Sequence, residues 1–273
     1  MKTLKNEKGI ENVSNTKQNK FINILNGDRH SLLLSVALHL VPGVLILLTY
    51  LIVGEPVVKA LGYPIYLAWV FSMCFSLAPI ELGLLFYLGW KKNGKLSLRG
   101  VVHYMDKPIK KLPLIRLVTI LIIGLYAASV ILTPVDNFVY KHLFSWIPFA
   151  SAAGGSGGYL SGYPRSTVIV TLAVCVVFQG IILPAIEELY FRGYLLPRLS
   201  YLGKLAPILN MILFSLYHLW TPWQFVSRIG FFLPTVWVMW RKKDLRISIL
   251  VHCLSNTLLT LITLIAIAMG SPY

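Results

Sequence analysis

Long apolar runs determine what this chain can fold into. Seven of them lie at 31–53, 65–90, 112–135, 166–197, 205–222, 224–240 and 247–269, with few charges; most are roughly twenty residues long, and the fourth is longer. About 20 apolar residues in a helix span the bilayer core, whereas a membrane barrel gives short alternating segments. We therefore expect an all-α, polytopic membrane helix bundle of about seven to eight transmembrane helices with an intramembrane polar site.

Polar and apolar stretches divide the sequence into three regions. Residues 1–30 form a polar basic tail, 31–164 hold the first transmembrane helices and loops, and 165–273 hold the apolar runs that contain grouped polar residues. Only 13% of the residues are charged, about half of what a soluble domain carries. We expect 165–273 to be the transmembrane core that holds the site, and the lipid bilayer to be a partner.

The net charge of +15 predicts topology and gives no support for nucleic-acid binding. Twenty of the 25 Lys and Arg residues fall in the tail, in 91–116, in 193–205 and in 241–246, which alternate correctly between the seven runs. Among the rest, Arg228 is assigned to an opposite-side connection. Because basic residues accumulate on the cytoplasmic side, we expect the N-terminus in the cytoplasm and the C-terminus outside.

Two adjacent acids interrupt the fourth apolar run. Glu187 and Glu188 lie there, and Arg192 follows four positions after the second, in a chain with only ten acidic residues. Buried carboxylates cost several kcal/mol unless paired or hydrated. Helical spacing lets Glu188 pair with Arg192 and turns Glu187 about 100° away, free to face another helix.

Two further pairs lie in the following runs. Phe214 precedes His218 by four residues, and His252 precedes Asn256 by four, so that each pair shares a helix face. If 205–222 folds back on 166–197, Glu187 and His218 lie opposite each other, roughly 16–20 Å from the cytoplasmic ends of their helices. His252 and Asn256 reach a similar depth, about 12–18 Å.

These residues can activate water in two ways. A carboxylate in a low-dielectric site can act as general base, with a histidine to orient the water and a histidine and an amide to stabilise an oxyanion. Alternatively, Glu187, His218 and His252 form a His₂Glu set that suits zinc. A purely structural interpretation also exists, in which Glu188 and Arg192 are a clamp. His39 alone is expected to be a packing residue, and Glu81 has no evident partner.

The three motifs resemble the CPBP family of intramembrane proteases. Glu187-Glu188-x-x-x-Arg192, Phe214-x-x-x-His218 and His252-x-x-x-Asn256 occur in the order found in this CAAX-protease and bacteriocin-processing group, also called the Abi family, which includes type II prenyl-protein endopeptidases. The resemblance covers roughly residues 165–260. It implies a helical core with a cavity open to the cytoplasm, and either a metalloprotease or a metal-free, glutamate-based mechanism.

Carried onto this sequence, the resemblance assigns a role to each motif. Glu187 and His218 would activate the water, Glu188 and Arg192 would support the site, and His252 with Asn256 would hold the oxyanion. We expect an intramembrane endopeptidase of a bacterial cell membrane that cleaves membrane-associated peptides or proteins, such as bacteriocin, pheromone or CAAX-like substrates.

Two other classes of function use the same residues. A non-catalytic membrane scaffold or bacteriocin-immunity protein would bind a partner through the same cavity. A proton-coupled transporter would also use buried Glu and His, but it would be expected to show inverted repeats with broken helices, and the sequence has no convincing pair of them.

Overall fold

Helices account for every apolar run of the chain. The computed structural model describes residues 20–106, 108–149 and 159–273. This part forms α1 (20–26), α2 (Leu32–Ala60), α3 (Leu67–Asn93), α4 (Lys111–Phe144), α5 (Arg165–Arg198), α6 (Leu205–Tyr217), α7 (Phe225–Lys242) and α8 (Arg246–Ala268). Within these ranges no strand forms, and the expected all-α membrane bundle is confirmed.

Five of these helices are long and apolar enough to cross a bilayer: α2, α3, α4, α5 and α8. The other two expected spans are shorter or more polar. Helix α6 has 13 residues and is about 20 Å long, and the 18-residue α7 carries three basic residues. Large apolar side chains of α4, among them Val130 and Ile131, are exposed on the outer surface, as expected where lipid replaces water. The chain is an integral membrane protein.

The C-terminal helices form the centre of the bundle. Helix α8 packs against α4, α5 and α7, while α6 packs against α2 and α7. Glycines permit the closest approaches: a Cβ at Gly180 of α5 would lie 2.7 Å from Oγ1 of Thr257 on α8. A Cβ at Gly43 of α2 would overlap the carbonyl oxygen of Tyr217 on α6. These contacts fix α5 against α8 and α2 against α6, around one interior region.

Helices α3 and α5 contain π-helical turns next to that region. Helix α3 has one at Ala78–Leu82, and α5 has two, at Phe178–Ile182 and Glu188–Leu195. Turns of this kind occur frequently at functional sites because they change the direction of side chains within an otherwise regular helix. The turn at Ala78–Leu82 packs directly against the α5 segment Leu183–Glu187.

The connections rich in basic residues lie together at one end of the bundle. The backbone N–H of Leu245 donates to the carbonyl of Tyr104, and that of Ile109 donates to Oδ2 of Asp244. His103 donates in the same way to the carbonyl of Gly193 near the end of α5. The α3–α4 and α7–α8 connections therefore cover the C-terminal end of α5.

Candidate active site

Two neighbouring glutamates of α5 lie inside the bundle. Glu187 ends the short α-helical turn Leu183–Glu187, and Glu188 begins the π-helical turn that follows. Glu187 keeps 5% of its surface exposed and Glu188 none. Because an uncompensated buried charge costs several kcal/mol, the groups around these two carboxylates define the site.

Glu188 forms the predicted pair with Arg192. Its Oε2 lies 3.5 Å from Nε of Arg192, and both side chains are fully buried. The guanidinium carbon of Arg192 also lies 3.7 Å from the centre of the Phe214 ring, and its Nη2 lies 3.6 Å from the sulfur of Met211. The ion pair therefore lies within α5, and Arg192 joins α5 to α6 through its cation–π contact with Phe214.

His252 of α8 lies between the two glutamates. Its Nδ1 is 2.9 Å from Oε1 of Glu188, and its Nε2 is 3.9 Å from Oε2 of Glu187. Since a carboxylate only accepts, Nδ1 carries the proton of the shorter contact. The longer contact exceeds hydrogen-bond length and suits two groups that share a bridging water. The ring nitrogen that faces Glu187 is thus Nε2.

Tyr217 and His218 bring the end of α6 to the same place. The hydroxyl of Tyr217 donates to Oε1 of Glu187 at 3.1 Å. Nδ1 of His218 donates to the carbonyl of Phe214 at 2.8 Å, which in the neutral ring leaves Nε2 as an acceptor. The depth count placed residue 218, at the end of this helix, opposite Glu187. The observed hydrogen bond to Glu187 comes from Tyr217, one residue earlier.

Asn256 lies one turn after His252 on α8. Its side-chain Nδ2 donates to the carbonyl of Gln179, at a π-helical turn of α5, at 3.3 Å. The side chain of Gln179 in turn accepts from the hydroxyl of Tyr66 at 2.8 Å. Asn256 is thus tied to α5 and remains on the wall of the cavity described next.

A cavity of about 470 Å³ adjoins these residues. Glu187, His218, His252 and Asn256 all line it, whereas Glu188 and Arg192 lie behind the wall. The volume falls in the range of small-molecule and peptide sites, about 300–1,000 Å³. Four of the six predicted site residues therefore face one space, and the other two support His252 from behind.

The cavity extends away from the basic connections. Its lining runs from Glu187 and His252 to Tyr66, Thr221 and Gln224, in the segments at the opposite end of the bundle. The sequence led us to expect the cavity to open on the basic side, which the Lys and Arg distribution assigns to the cytoplasm, whereas its lining lies on the other side of the glutamates. On that side the space beyond the glutamates is filled by fully buried side chains of α5 and of both basic connections, which include Phe191, Tyr194, Leu195, Val101 and Leu245.

Arg228 also differs from its expected position. The sequence assigns it to a connection on the side opposite the cytoplasm, but it lies within α7, 7% exposed, on the cavity wall. Its position close to the start of an apolar run made it look like a flanking residue. A basic residue inside such a run was the signal that could have identified it.

Two further polar residues near the glutamates were not assigned to the site. Tyr217 had no signal of its own beyond its place beside His218. Glu81 is fully buried on the π-helical turn of α3, close to the Tyr217 hydroxyl and to Glu187. Its partners come from α5 and α6, far away in sequence, so no local pattern could reveal them.

His39 behaves as the expected packing residue. Its Nδ1 donates to the carbonyl of Ser35 at 2.6 Å, and its Nε2 lies 3.0 Å from the side-chain amide of Asn210. It is fully buried and connects α2 to α6 away from the cavity. Its role is to hold two helices together.

The expected zinc ligands do not form a metal site as they are arranged. Among residues 20–106, 108–149 and 159–273, no group of three His, Cys, Asp or Glu side chains is placed to hold a metal ion. His252 uses Nδ1 on Glu188, His218 uses Nδ1 on a backbone carbonyl, and Oε1 of Glu187 accepts from Tyr217. These bonds use Nδ1 of both rings and Oε1 of Glu187, and the three side chains are not placed to hold one metal ion.

Comparison with known proteins identifies the C-terminal region. Residues 168–258 match the family model Rce1-like, described as Type II CAAX prenyl endopeptidase Rce1-like. No curated protein and no solved structure matches the chain significantly. The matched region contains all three motifs and runs from α5 into α8, while α2, α3 and α4 lie outside it. Over residues 168–258 this integral membrane protein is therefore similar to Rce1-like type II CAAX prenyl endopeptidases, which confirms the resemblance to the CPBP family.

Proposed function

We propose that this protein is an intramembrane endopeptidase that hydrolyses a peptide bond in a membrane-associated peptide or protein. The observation that carries the proposal is Glu187, a buried carboxylate that borders the cavity and faces Nε2 of His252. The similarity of residues 168–258 to type II CAAX prenyl endopeptidases supports the same chemistry. Bacteriocins, peptide pheromones and CAAX-like proteins are the substrate groups that the family resemblance suggests.

Glu187 is the general base in this proposal. A water on the cavity side of Glu187 gives its proton to the carboxylate while its oxygen attacks the carbonyl carbon of the substrate. His218 borders the same space and, as a neutral ring, presents Nε2 as an acceptor that orients the water. When the tetrahedral intermediate collapses, the C–N bond breaks and the protonated Glu187 gives its proton to the leaving amine.

The oxyanion requires donors on the opposite side of the reacting carbon. Asn256 has one amide N–H on the carbonyl of Gln179 and a second for the cavity. His252 serves as a donor in its doubly protonated form, with Nδ1–H on Glu188 and Nε2–H towards the cavity. Glu188 then supplies the compensating charge, and Arg192 fixes Glu188.

The proposal includes an orientation and a side of cleavage. The distribution of Lys and Arg favours a cytoplasmic N-terminus and an outer C-terminus, which puts the α3–α4 and α7–α8 connections in the cytoplasm. Since the cavity extends away from those connections, the substrate reaches the glutamates from the non-cytoplasmic half of the membrane. Peptides presented at the outer surface or within the outer leaflet are therefore the substrates we favour.

Glu187→Gln tests the function directly, because it removes the base and keeps an oxygen that accepts from Tyr217. We expect the loss of general-base catalysis to lower cleavage at least about 100-fold. Glu55→Gln is the matched control, a glutamate of α2 that pairs with Lys59 away from the cavity. The measurement is mass spectrometry of membrane peptides from cells that express each variant, with yield and monodispersity of the purified protein as the folding check.

His218→Ala provides a second variant on another helix, and it is expected to lower cleavage as well. If both cavity variants leave the peptide profile of the wild type unchanged, the endopeptidase proposal is wrong. That result would favour the non-catalytic scaffold or immunity protein, for which changes of the surface connections would be the damaging ones.

A further inference from the structure

Arg228 is a buried cation that borders the cavity and has only neutral hydrogen-bond partners. Its Nη2 donates to Oγ1 of Thr221 at 2.6 Å and to Oε1 of Gln224 at 3.0 Å. Its Nη1 donates to the carbonyl of Ser215 at 3.5 Å. Among the described residues, no carboxylate oxygen lies within the 4 Å of an ion pair from this guanidinium.

The nearest acids do not neutralise it. Asp136 of α4 and Glu187 of α5 both act on Arg228 electrostatically, but neither reaches it. Oδ2 of Asp136 accepts instead from the hydroxyl of Ser227 at 2.8 Å. A buried charge without a counter-ion is costly, so a cation that persists on a cavity wall indicates that the cavity itself receives an anion.

Comparison with the other buried arginines separates Arg228 from a structural clamp. Arg192 has Glu188 as its counter-ion and lies behind the wall. Arg198 donates to the carbonyls of Tyr194 and Val101 and lies over the Tyr194 ring, also away from the cavity. Arg228 alone of these three lines the cavity, together with Thr221 and Gln224, which hold it in place.

Guanidinium chemistry defines the ligand. Arginine has five N–H donors, and the three hydrogen bonds of Arg228 use both donors of Nη2 and one of Nη1, which leaves Nε–H and the second Nη1–H for a molecule in the cavity. Each of these donors belongs to a cation, and hydrogen bonds between ionised groups are stronger than those to a neutral peptide carbonyl, so the free donors favour a carboxylate. The anion cannot sit beside Glu187, which repels it, and so Arg228 determines where in the cavity an acidic group binds.

We propose that Arg228, held by Thr221 and Gln224, is a carboxylate-binding subsite of the cavity that selects peptides with an acidic group. This inference rests on the proposed endopeptidase function, because the bound peptide is its substrate. The subsite lies at the end of α6 and the start of α7, in the part of the cavity furthest from the basic connections. A carboxylate held there leaves the peptide bonds beside it to reach Glu187.

Two sources can supply this carboxylate, a C-terminus or an acidic side chain. The probes are therefore acetyl-Leu-Leu-Leu as the free acid, the same peptide as the C-terminal amide, and an amidated peptide in which one leucine is replaced by aspartate. Binding to the purified full-length protein in detergent is measured by tryptophan fluorescence, since Trp69 and Trp220 line the cavity. We expect the wild type to bind at least one acidic probe about tenfold or more tightly than the neutral amide.

The decisive variant is Arg228→Gln, which we expect to bind the acidic and neutral probes equally. Arg228→Lys keeps the charge without the planar fork and should retain part of the preference. Arg241→Gln is the matched control, an exposed arginine on the same helix that should behave as the wild type. Unchanged affinity for the neutral amide shows that Arg228→Gln is folded. If Arg228→Gln does not fold, the preference of Arg228→Lys for the acidic probe is compared with that of the wild type instead.

The inference is overturned if the wild type binds all three probes equally, or if Arg228→Gln keeps its preference for an acidic probe. A preference for the free acid alone identifies the C-terminus as the source, and a preference for the aspartate probe identifies the side chain. Binding does not require hydrolysis, so a selective Arg228 with no cleavage by the wild type refutes only the proposed enzyme function.

Discussion

Nδ1 of His252 lies 2.9 Å from Oε1 of Glu188, which connects α8 directly to the buried ion pair of α5. The other oxygen of Glu188 faces Arg192, so one carboxylate orients the imidazole and compensates the guanidinium. The ring is thereby turned so that Nε2 faces Glu187 and the cavity. Glu188 and Arg192 are consequently supports of the site, because neither lines the space in which a substrate would bind.

The first prediction concerns this buried pair. Arg192→Met removes the cation and leaves Glu188 buried without its counter-ion, which is expected to lower the free energy of unfolding by about 3–5 kcal/mol. Glu188→Gln combined with Arg192→Met removes both charges and should recover much of that loss. Thermal unfolding of the purified variants measures the difference. Equal melting temperatures for the single and double variants would contradict a charge-based support.

The double variant also separates stability from activity. Glu188→Gln keeps one oxygen that can accept from Nδ1 of His252, but it removes the charge of that acceptor and adds an NH₂ group that can turn towards the ring, so the orientation of the imidazole towards Glu187 is no longer fixed. We expect the cleavage rate of the double variant to stay about tenfold or more below that of the wild type, even where its stability recovers. Full recovery of both would show that the orientation of His252 does not depend on the charge of Glu188.

A second prediction concerns the hydroxyl that holds Glu187. Tyr217→Phe removes the bond to Oε1 of Glu187 and keeps the ring that packs 4.8 Å from Phe191. The loss of one buried hydrogen bond is expected to cost about 1–3 kcal/mol and, through the misplaced base, about tenfold in the cleavage rate. The loss of stability is measured by unfolding of the purified protein, and the loss of rate by its cleavage of peptides.

Tyr190→Phe is the control for that prediction. Its hydroxyl donates to the carbonyl of Leu38 at 2.8 Å, so the change removes one buried hydrogen bond of the same kind away from Glu187. We expect a similar loss of stability with an unchanged rate. A rate that falls equally in both variants would assign the effect to general destabilisation.

A third prediction decides between the two schemes of water activation. Because Glu187, His218 and His252 are not placed to hold one metal ion, we expect the purified protein to contain no stoichiometric zinc and to cleave peptides in the presence of chelators. The measurements are elemental analysis and cleavage before and after EDTA or 1,10-phenanthroline. Inactivation by chelators that added zinc reverses would instead establish the His₂Glu alternative.

A fourth prediction tests the packing that holds α6 in position. A Cβ at Gly43 would overlap the carbonyl of Tyr217, so Gly43→Ala must displace α2 from the end of α6 that carries Tyr217 and His218. We expect a loss of stability of about 1–3 kcal/mol together with reduced cleavage. Gly124→Ala is the control, since a Cβ there meets no atom within 4 Å and improves helix propensity. Tolerance of Gly43→Ala would show that the α2–α6 contact can adjust.

Local patterns predicted the helices and much of the site, because both depend on interactions between residues that are close in sequence. Apolar length identified the five spanning helices, and i, i+4 spacing predicted that Glu188 and Arg192 would pair. The same spacing contains no information about which residue of another helix each side chain contacts. His252 was matched with Asn256 on its own helix, but its short contact is with Glu188 on α5.

Depth counting predicted the right level but not the side chain that bonds to Glu187. It placed α6 opposite Glu187 to within one residue, yet the bond comes from Tyr217, because the helix ends at that residue and changes where the next side chain points. Arg228 and the direction of the cavity were missed for a related reason. Both depend on which buried side chains fill the space beyond the glutamates, and no periodicity in one segment contains that information.

The fifth prediction concerns the side from which the cavity is reached. Lys95 lies exposed in the α3–α4 connection at the basic end, Ser271 is exposed after α8 at the other end, and Gln224 lines the cavity. Each is replaced by cysteine in a background in which Cys74, Cys175 and Cys253 are alanine. A membrane-impermeant maleimide should label positions 224 and 271 in intact cells, and position 95 only in inside-out vesicles.

The outcomes of this labelling test the direction of the cavity and the orientation of the protein in the membrane separately. Labelling of positions 95 and 224 from the same side would contradict a cavity that extends away from the basic connections. Labelling of position 95 in intact cells, with 224 and 271 on the inner side, would reverse the orientation expected from the Lys and Arg distribution. In that case the cavity keeps its place in the bundle, and the substrate reaches Glu187 from the cytoplasm.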